Sequence, residues 1–358
     1  FTTDIVDRAI EYLTDLRNAD PDLPFFCYVA PGACHSPHQA PPEWIEQYRG
    51  AFDEGWDVWR ERAFARQMAE GLLPPTTELS PRPDWVPAWD DLTPDQQRVA
   101  ARYMEAFAGF LSHTDAELGR LIDFLDATGD LEHTLVMVLS DNGASSEGGA
   151  GGSLNDVRHW NLLDSPLDEA LDRLDEIGGP RIHNNYPWGW TVAGNTPFRR
   201  WKREVHEGGV ADPLVIHWPA GMGRPGETRH QYVHAIDLTP TVLEAAGVPA
   251  PEVLGGVPQR PLEGASFLAC LTDADAPSPR TTQYYEMLGC RAIHHEGWKA
   301  VTYHPIQSDE PGLGDEAWEL YDVTVDPSEC HDLAAEHPER LAELVERWWA
   351  EAERHQVL

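Results

Sequence analysis

Two adjacent side chains with hard oxygen donors, Asp141 and Asn142, directly follow the apolar run Leu135–Ser140. Short apolar runs of this kind are typical of buried strands, and open α/β sheets bind ligands at the carboxyl ends of their strands. A carboxylate beside an amide oxygen suits calcium or magnesium. Asp-Asn-Gly is also a typical turn sequence, so the pair alone leaves a metal site and a plain turn as alternatives.

His35 occupies a similar place, after a second apolar run, Phe25–Ala30. If both runs are strands of one sheet, His35 and Asp141 emerge at the same edge. A histidine there could donate a hydrogen bond to an anionic oxygen or act as a general acid. An exposed loop histidine is the alternative, because the chain has 16 histidines. Its neighbour Cys34 lacks an activating sequence context and is interpreted as a small loop residue.

A basic cluster, Arg199–Arg203, has four basic side chains in five positions, although the chain carries a formal charge of -35. An anionic substrate group would explain such a cluster, which includes Lys202. A surface run paired with nearby carboxylates is the alternative. Upstream, Trp188 and Trp190 could wall an aromatic or sugar pocket or pack in the core. The apolar run Pro213–Trp218 follows, so the cluster lies on a loop that leads into the predicted sheet.

Helical patterns separate these apolar runs. The sequence Thr93-Pro94-Asp95-Gln96 is a capping box that predicts a helix continuing to about Leu125. A second helix is expected from Asp237 to Gly247. Alternating strands and helices indicate an α/β domain with a largely parallel sheet flanked by helices, which we assign to residues 1–255.

The pattern of apolar and polar residues changes after a segment rich in Pro and Gly that runs to Pro279. Short strand candidates and a closing amphipathic helix predict a small antiparallel sheet plus a helix, a C-terminal subdomain over residues 280–358. The candidates are Gln283–Leu288, Arg291–His294, Trp298–Tyr303, Trp318–Tyr321 and, for the helix, Pro338–His355.

Composition excludes several classes of function. The 61 acidic against 26 basic residues argue against a surface that binds nucleic acid or an anionic membrane. No apolar run reaches the roughly 20 residues that span a bilayer. Five scattered cysteines without a C-x-x-C pair favour a reducing, cytoplasmic compartment slightly. Oligomeric state stays open.

Together these features resemble the type I sulfatases, the bacterial arylsulfatases in particular, of the alkaline-phosphatase-like superfamily. The insertion His159–Trp190, with its HNNYPWGW sequence, is similar to bacterial arylsulfatases. Four stretches in the family's order carry the resemblance: Phe25–Pro41, Val138–Gly143 (VLSDNG), Asn195–Pro219 and Trp318–Leu333.

The resemblance implies an alkaline-phosphatase-like fold and hydrolysis of a small-molecule sulfate ester. It implies that Asp141 and Asn142 are calcium ligands and that His35 and Lys202 are catalytic residues that contact the sulfate group. The family nucleophile is a formylglycine made from a cysteine or serine.

The chain departs from the family because it contains no Cys-x-Pro-Ser-Arg, no initial Asp-Asp pair and no Gly-Lys-x-His segment. In the family these elements precede the region equivalent to Phe1, so we expect a C-terminal fragment that is inactive alone. A phosphoesterase of the same superfamily and a non-catalytic scaffold or interaction protein are the alternative functions.

Overall fold

A computed structural model describes residues 1–163, 165–224, 226–305 and 316–357, with residue 159 described by its backbone only. One position of the predicted insertion, residue 164, therefore lies outside the described residues. The described α-helices are α1 (Thr2–Ala19), α2 (Pro42–Glu46), α3 (Gly55–Ala69), α4 (Pro94–Thr128), α5 (Val157–Trp160), α6 (Leu167–Asp172), α7 (Trp188–Gly194), α8 (Glu207–Val210), α9 (Leu238–Ala245), α10 (Leu268–Thr272) and α11 (Pro338–Arg354).

Helix α4 organises the main core. Its start is the predicted capping box, in which the Thr93 hydroxyl accepts from the Gln96 amide and the Gln96 side chain accepts from the Thr93 amide. The helix is unbroken and ends at Gly129, which has the left-handed conformation typical of a helix C-terminus. Its buried half packs with Trp56 of α3 and Trp190 of α7. Nearer its C-terminus the helix is less buried, and Leu111 is exposed.

Two of the predicted strands form an antiparallel pair, β1 (Val136–Leu139) and β2 (Leu214–His217). One face packs on the side chains of α10, whereas Val215 on the other face is 63% exposed. The described residues contain no parallel ladder of strands, so the expected largely parallel sheet is corrected to a mixed α/β arrangement.

The third predicted strand, Phe25–Ala30, has no regular secondary structure and no strand pairing, and Phe26 and Tyr28 are exposed. A strand requires a neighbour that completes its backbone hydrogen bonds, and none of the described segments lies alongside this run. The prediction of a buried strand at this run is therefore wrong for this chain.

The predicted C-terminal antiparallel sheet and closing helix are present. A four-stranded antiparallel sheet has one face packed on α11, through Ile293, Leu320 and Trp348. Its other face packs against Val205, which lies on the loop that carries Lys202. The strands are β5 (Thr282–Met287), β6 (Cys290–His295), β7 (Trp298–Thr302) and β8 (Glu319–Asp322), with a small hairpin of β3 (Val253–Leu254) and β4 (Val257–Pro258) before them.

None of the described helices combines the length and the apolar character that crossing a membrane requires.

Candidate active site

Lys202 and His35, which are 167 positions apart in the sequence, are in direct contact. Lys202 Nζ lies 3.1 Å from His35 Nε2, and His35 Nδ1 lies 2.8 Å from the carbonyl oxygen of Ser36. A carbonyl only accepts, so Nδ1 must carry the hydrogen, and an ammonium only donates, so Nε2 must accept. The contacts therefore select the neutral imidazole with its hydrogen on Nδ1.

A buried carboxylate, Glu147, lies behind this pair and was not predicted. Its side chain is 6% exposed, and Oε1 lies 3.2 Å from Lys202 Nζ and 3.4 Å from Arg203 Nη2. Its Oε2 lies 3.6 Å from His35 Nε2. One buried acid thus pairs with two cations, Lys202 and Arg203, and lies next to the histidine. The local sequence gives little indication of this, because Glu147 lies in a stretch rich in Gly and Ser, a composition typical of loops.

That stretch, residues 143–152, is anchored by α7 and its flanks. The Trp188 indole donates to the Ser146 carbonyl at 2.9 Å, and the Thr191 hydroxyl donates to the Ser145 carbonyl at 2.7 Å. The backbone of Ala144 bonds to Lys202 and to the Asn195 side chain, at 3.2 and 2.8 Å. The Asp141 loop and the Lys202 loop therefore form one packed unit.

Glycines allow these two loops to touch. A Cβ added at Gly143 would lie 1.8 Å from the carbonyl oxygen of Gly208. The glycine of Asp-Asn-Gly and that of Glu-Gly-Gly thus meet where the backbones approach, which gives both motifs a packing reason.

Replacing Gly143 with Ala is expected to destabilise the chain by about 1–3 kcal/mol, because backbone must move to accommodate the methyl group. Urea unfolding measures the loss. The matched control is Gly119→Ala within α4, where an added Cβ meets nothing within 4 Å and helix propensity predicts a gain of up to about 1 kcal/mol. Equal effects at the two positions would contradict the close approach of the loops.

The predicted basic cluster divides between two roles. Arg199 bonds to Glu319 and to the Tyr321 hydroxyl on β8, and Arg200 pairs with Glu204 at 3.3 Å. These contacts support the alternative of paired surface charges for the flanking arginines. Lys202 is the member of the cluster that contacts His35.

Strained backbone accompanies this arrangement. Arg200 and Arg203, either side of Lys202, have φ angles of 68° and 80°, in the left-handed region that non-glycine residues rarely adopt. Their guanidinium groups lie over aromatic rings, Arg200 over Tyr303 at 4.5 Å and Arg203 over Trp160 at 3.9 Å. Such strain persists where surrounding contacts impose it, as they do here.

The two tryptophans proposed as pocket walls both have packing partners within the protein. Trp190 is 1% exposed and donates to the Ala100 carbonyl inside the main core. Trp188 packs edge-on against Trp85. Core packing, the alternative given above, is therefore correct for Trp190.

Asp141 and Asn142 lie at the end of β1, beside the Lys202 loop. Asp141 is exposed, and the structure gives neither side chain a hydrogen-bond or ion-pair partner among the described residues. Asp212 lies close by, and burial, with further contributions from Asp141 and Glu207, raises the pKa of Asp212 to about 7. The side-chain oxygens of Asp141 and Asn142 have no protein partner among the described residues, and the nearby Asp212 carboxyl group is hard to ionise. A hard cation such as calcium would suit both features.

The fit is partial, since no group of three His, Cys, Asp or Glu side chains within the described ranges converges to hold a metal ion. Calcium takes six to eight oxygen ligands. Asp141 and Asn142 could supply two of them, and the remainder would come from elsewhere.

Cys34, next to His35, is not an activated thiol. The surrounding protein, helped by the charge of Asp141, raises the pKa of the Cys34 thiol to about 11. The thiolate required of a nucleophile is therefore scarce near neutral pH, in line with its interpretation as a loop residue.

Comparison with known proteins identifies the family. The sulfatase family model matches residues 1–248, and the model for the C-terminal part of N-sulphoglucosamine sulphohydrolase matches residues 199–356. The first match covers more than half of the chain, and the two overlap across the Lys202 loop. The chain belongs to the sulfatase family of the alkaline-phosphatase-like superfamily.

Two relatives are named as sulfatases, and one solved structure has a similar fold. An uncharacterized sulfatase of Schizosaccharomyces pombe is 32% identical over 95% of this chain and 60% of its own length. An arylsulfatase of Klebsiella aerogenes is 30% identical over 69% of this chain and 52% of its own length. The crystal structure of Ps i-CgsB superposes with a TM-score of 0.57 at 19% identity, over 98% of this chain and 54% of that one. The chain thus spans little more than half the length of these proteins.

Proposed function

We propose that this chain supplies part of the active site of a sulfuric ester hydrolase, an arylsulfatase that depends on calcium and formylglycine. The observation that carries the proposal is the contact of Lys202 Nζ with His35 Nε2 at 3.1 Å, beside the uncommitted oxygens of Asp141 and Asn142. The cation and the imidazole could bind a tetrahedral anion. The pair of hard oxygen donors could bind the metal ion beside it.

Each side chain of the site would have its own role. The Lys202 ammonium would donate to a sulfuryl oxygen or to the leaving-group oxygen, and His35 would donate to the same group once its Nε2 carries a hydrogen. Glu147 would hold Lys202 in place while offsetting part of its charge. Calcium held by Asp141 and Asn142 would offset negative charge on the sulfuryl oxygens. Residues 1–255 would form the catalytic part and 280–358 the subdomain that supports the Lys202 loop.

The isolated chain should not turn over 4-nitrophenyl sulfate, because it contains no Cys-x-Pro-Ser-Arg sequence from which formylglycine is made. A spectrophotometric assay with calcium present measures this. Turnover by the purified chain that disappears in Lys202→Ala would refute the assignment of the nucleophile to a different segment.

A protein that joins this chain to a formylglycine segment should hydrolyse 4-nitrophenyl sulfate faster than 4-nitrophenyl phosphate. Lys202→Ala should lower kcat by about 100- to 1,000-fold, the usual cost of removing one donor that stabilises transition-state charge. Arg66→Ala, on an exposed face of α3, is the control. Preference for the phosphate ester would indicate a phosphoesterase. An in-frame upstream sequence without Cys-x-Pro-Ser-Arg would favour a scaffold protein.

A further inference from the structure

A cavity of about 340 Å³ lies between the loop before α4, the loop that carries Lys202 and the turn after β8. Residues 80–85, 198–201 and 329–330 form most of its wall, and we call it the arginine cavity. We propose that the arginine cavity binds a small organic anion, a carboxylate or phosphate group attached to an apolar body. Lys202 and His35 do not line it, so this is a second site that does not depend on the proposed function.

Two arginines on different segments of the wall keep hydrogen-bond donors for a ligand. Arg82 donates from Nε to Asp57 at 2.9 Å and from Nη1 to the Val86 carbonyl. Its Nη2 has no acceptor among the described residues. Arg200 pairs with Glu204 through Nε at 3.3 Å, and in the described part of the chain nothing accepts from its Nη groups. Guanidinium N–H groups of this kind suit the oxygens of a carboxylate or a phosphate.

A third arginine, Arg60 of α3, is buried behind the wall without an acidic partner. It is 5% exposed, and its Nη2 donates to the backbone and side-chain oxygens of Ser80, at 2.7 and 2.8 Å. No carboxylate of the described residues pairs with it. Burial lowers the pKa of Arg60 to about 10, and two residues of the wall, Arg82 and Cys330, contribute to the shift. Arg60 therefore stays charged at neutral pH, and an anion in the cavity would offset that charge.

The acidic residues of the wall are Asp84 and Glu329. Glu329 is fully buried and paired with Lys299 at 3.1 Å, whereas Asp84 is exposed. Arg199, also on the wall, bonds both carboxylate oxygens of Glu319, at 3.2 and 3.4 Å. The wall thus has three arginines against two acids in a chain whose formal charge is -35. Such a local excess of basic groups gives an anion a place to bind that the surrounding charge would otherwise deny it.

The rest of the wall is largely apolar, which suits the body of an organic anion. Trp85 is 50% exposed and packs edge-on against buried Trp201, with ring centres 5.3 Å apart. The other apolar side chains of the wall are Pro81, Pro83, Val192 and Phe198. Pockets that combine an apolar lining with a few polar groups are typical binding sites for small organic molecules. An anion with an attached ring should therefore bind better than a bare inorganic anion.

Isothermal titration calorimetry of the full chain with benzoate, phenyl phosphate and uncharged benzamide tests this inference. We expect at least one of the two anions to bind with a Kd on the order of 1 mM or lower. Benzamide should bind at least about tenfold more weakly, because it cannot form charge-assisted hydrogen bonds with the arginines. The tighter of the two anions shows whether the site prefers a carboxylate or a phosphate. Binding of neither anion, or equal binding of benzamide, would overturn the inference.

Variants locate the bound anion. Arg82→Gln and Arg200→Gln should each weaken binding by about tenfold, because each removes a charged donor. Arg66→Gln, at an exposed arginine of α3, is the matched control and should bind like the wild type. Lys202→Ala should also leave binding unchanged. Binding that is lost in Lys202→Ala but not in the two arginine variants would place the anion at the sulfate site and overturn the inference.

Cysteine labelling of the wild-type chain provides a test that requires no variant. Cys330 is half-buried in the wall of the cavity, so a bound anion should protect it from alkylation by N-ethylmaleimide. The tighter anion, at ten times its Kd, should slow this alkylation by about tenfold. Cys27, which is exposed and lies outside the wall, is the internal control and should react at the same rate with and without the anion. An unchanged rate at Cys330, measured by mass spectrometry of its peptide, would contradict binding in the arginine cavity.

Discussion

Replacing Lys299 with Met is expected to lower the free energy of unfolding by about 3–5 kcal/mol. Lys299 Nζ lies 2.6 Å from Glu207 and 3.1 Å from Glu329, and the lysine and Glu329 are fully buried. Burial lowers the pKa of Lys299, but the two carboxylates outweigh it, so the pKa is raised and the lysine stays charged. Methionine would leave two carboxylates without their shared cation.

Urea unfolding at neutral pH measures this loss. The control, Arg66→Met, breaks an exposed pair with Glu70 on α3 and should cost at most about 0.5 kcal/mol. Adding Glu329→Gln to Lys299→Met should recover part of the loss, because it removes one uncompensated charge. A loss below about 1 kcal/mol for Lys299→Met would show that this network does not stabilise the fold. Since Glu207 begins α8, just after Lys202, the same variant should also disturb the site.

Acidification from pH 6.5 towards 3 is expected to destabilise the chain through His38. Burial lowers the pKa of His38 from 6.5 to about 3, with smaller contributions from His35 and His183. Above pH 6.5 the histidine is neutral in both states. As the pH falls below 6.5, the unfolded chain binds a proton that the folded chain refuses, so stability is lost until the folded pKa is reached. The full effect is on the order of 4 kcal/mol.

The variant His38→Phe isolates this contribution. Phenylalanine keeps a ring stacked near Tyr186, where the His38 ring centre lies 5.1 Å away, and does not titrate. Its free energy of unfolding should fall less steeply than wild type between pH 6.5 and 4, in urea titrations at several pH values. His230→Phe, at an exposed histidine, should follow the wild-type slope. Parallel curves for wild type and His38→Phe would contradict the assignment.

The C-terminal sheet and the site loops could be predicted because local sequence determines them. Gly289 and Gly297, both at positive φ, lie in the turns between successive strands. The turn residues and the apolar runs therefore predicted the same strand boundaries. His35, Asp141 and Lys202 each follow or precede an apolar run. In the structure Lys202 contacts His35, and the Asp141 loop packs against the Lys202 loop, although Phe25–Ala30 is not paired as a strand.

The missed features depend on partners that are distant in sequence. Glu147 functions through its burial beneath Lys202 and Arg203, and nothing local distinguishes it from an exposed glutamate in a glycine-rich turn. Phe25–Ala30 has the composition of a buried strand, but burial requires a neighbouring strand that the described residues do not supply.

The account rests on a sulfate group binding between Lys202 and His35, and titration of the chain with sodium sulfate tests this most directly. With ¹³C-labelled lysine, the Lys202 signal should move in a saturable manner, while the signal of buried Lys299 should stay in place. Sodium chloride at equal ionic strength should have no such effect, and His35→Ala should weaken the response. A Lys202 signal that ignores sulfate, or that moves equally with chloride, would contradict the account.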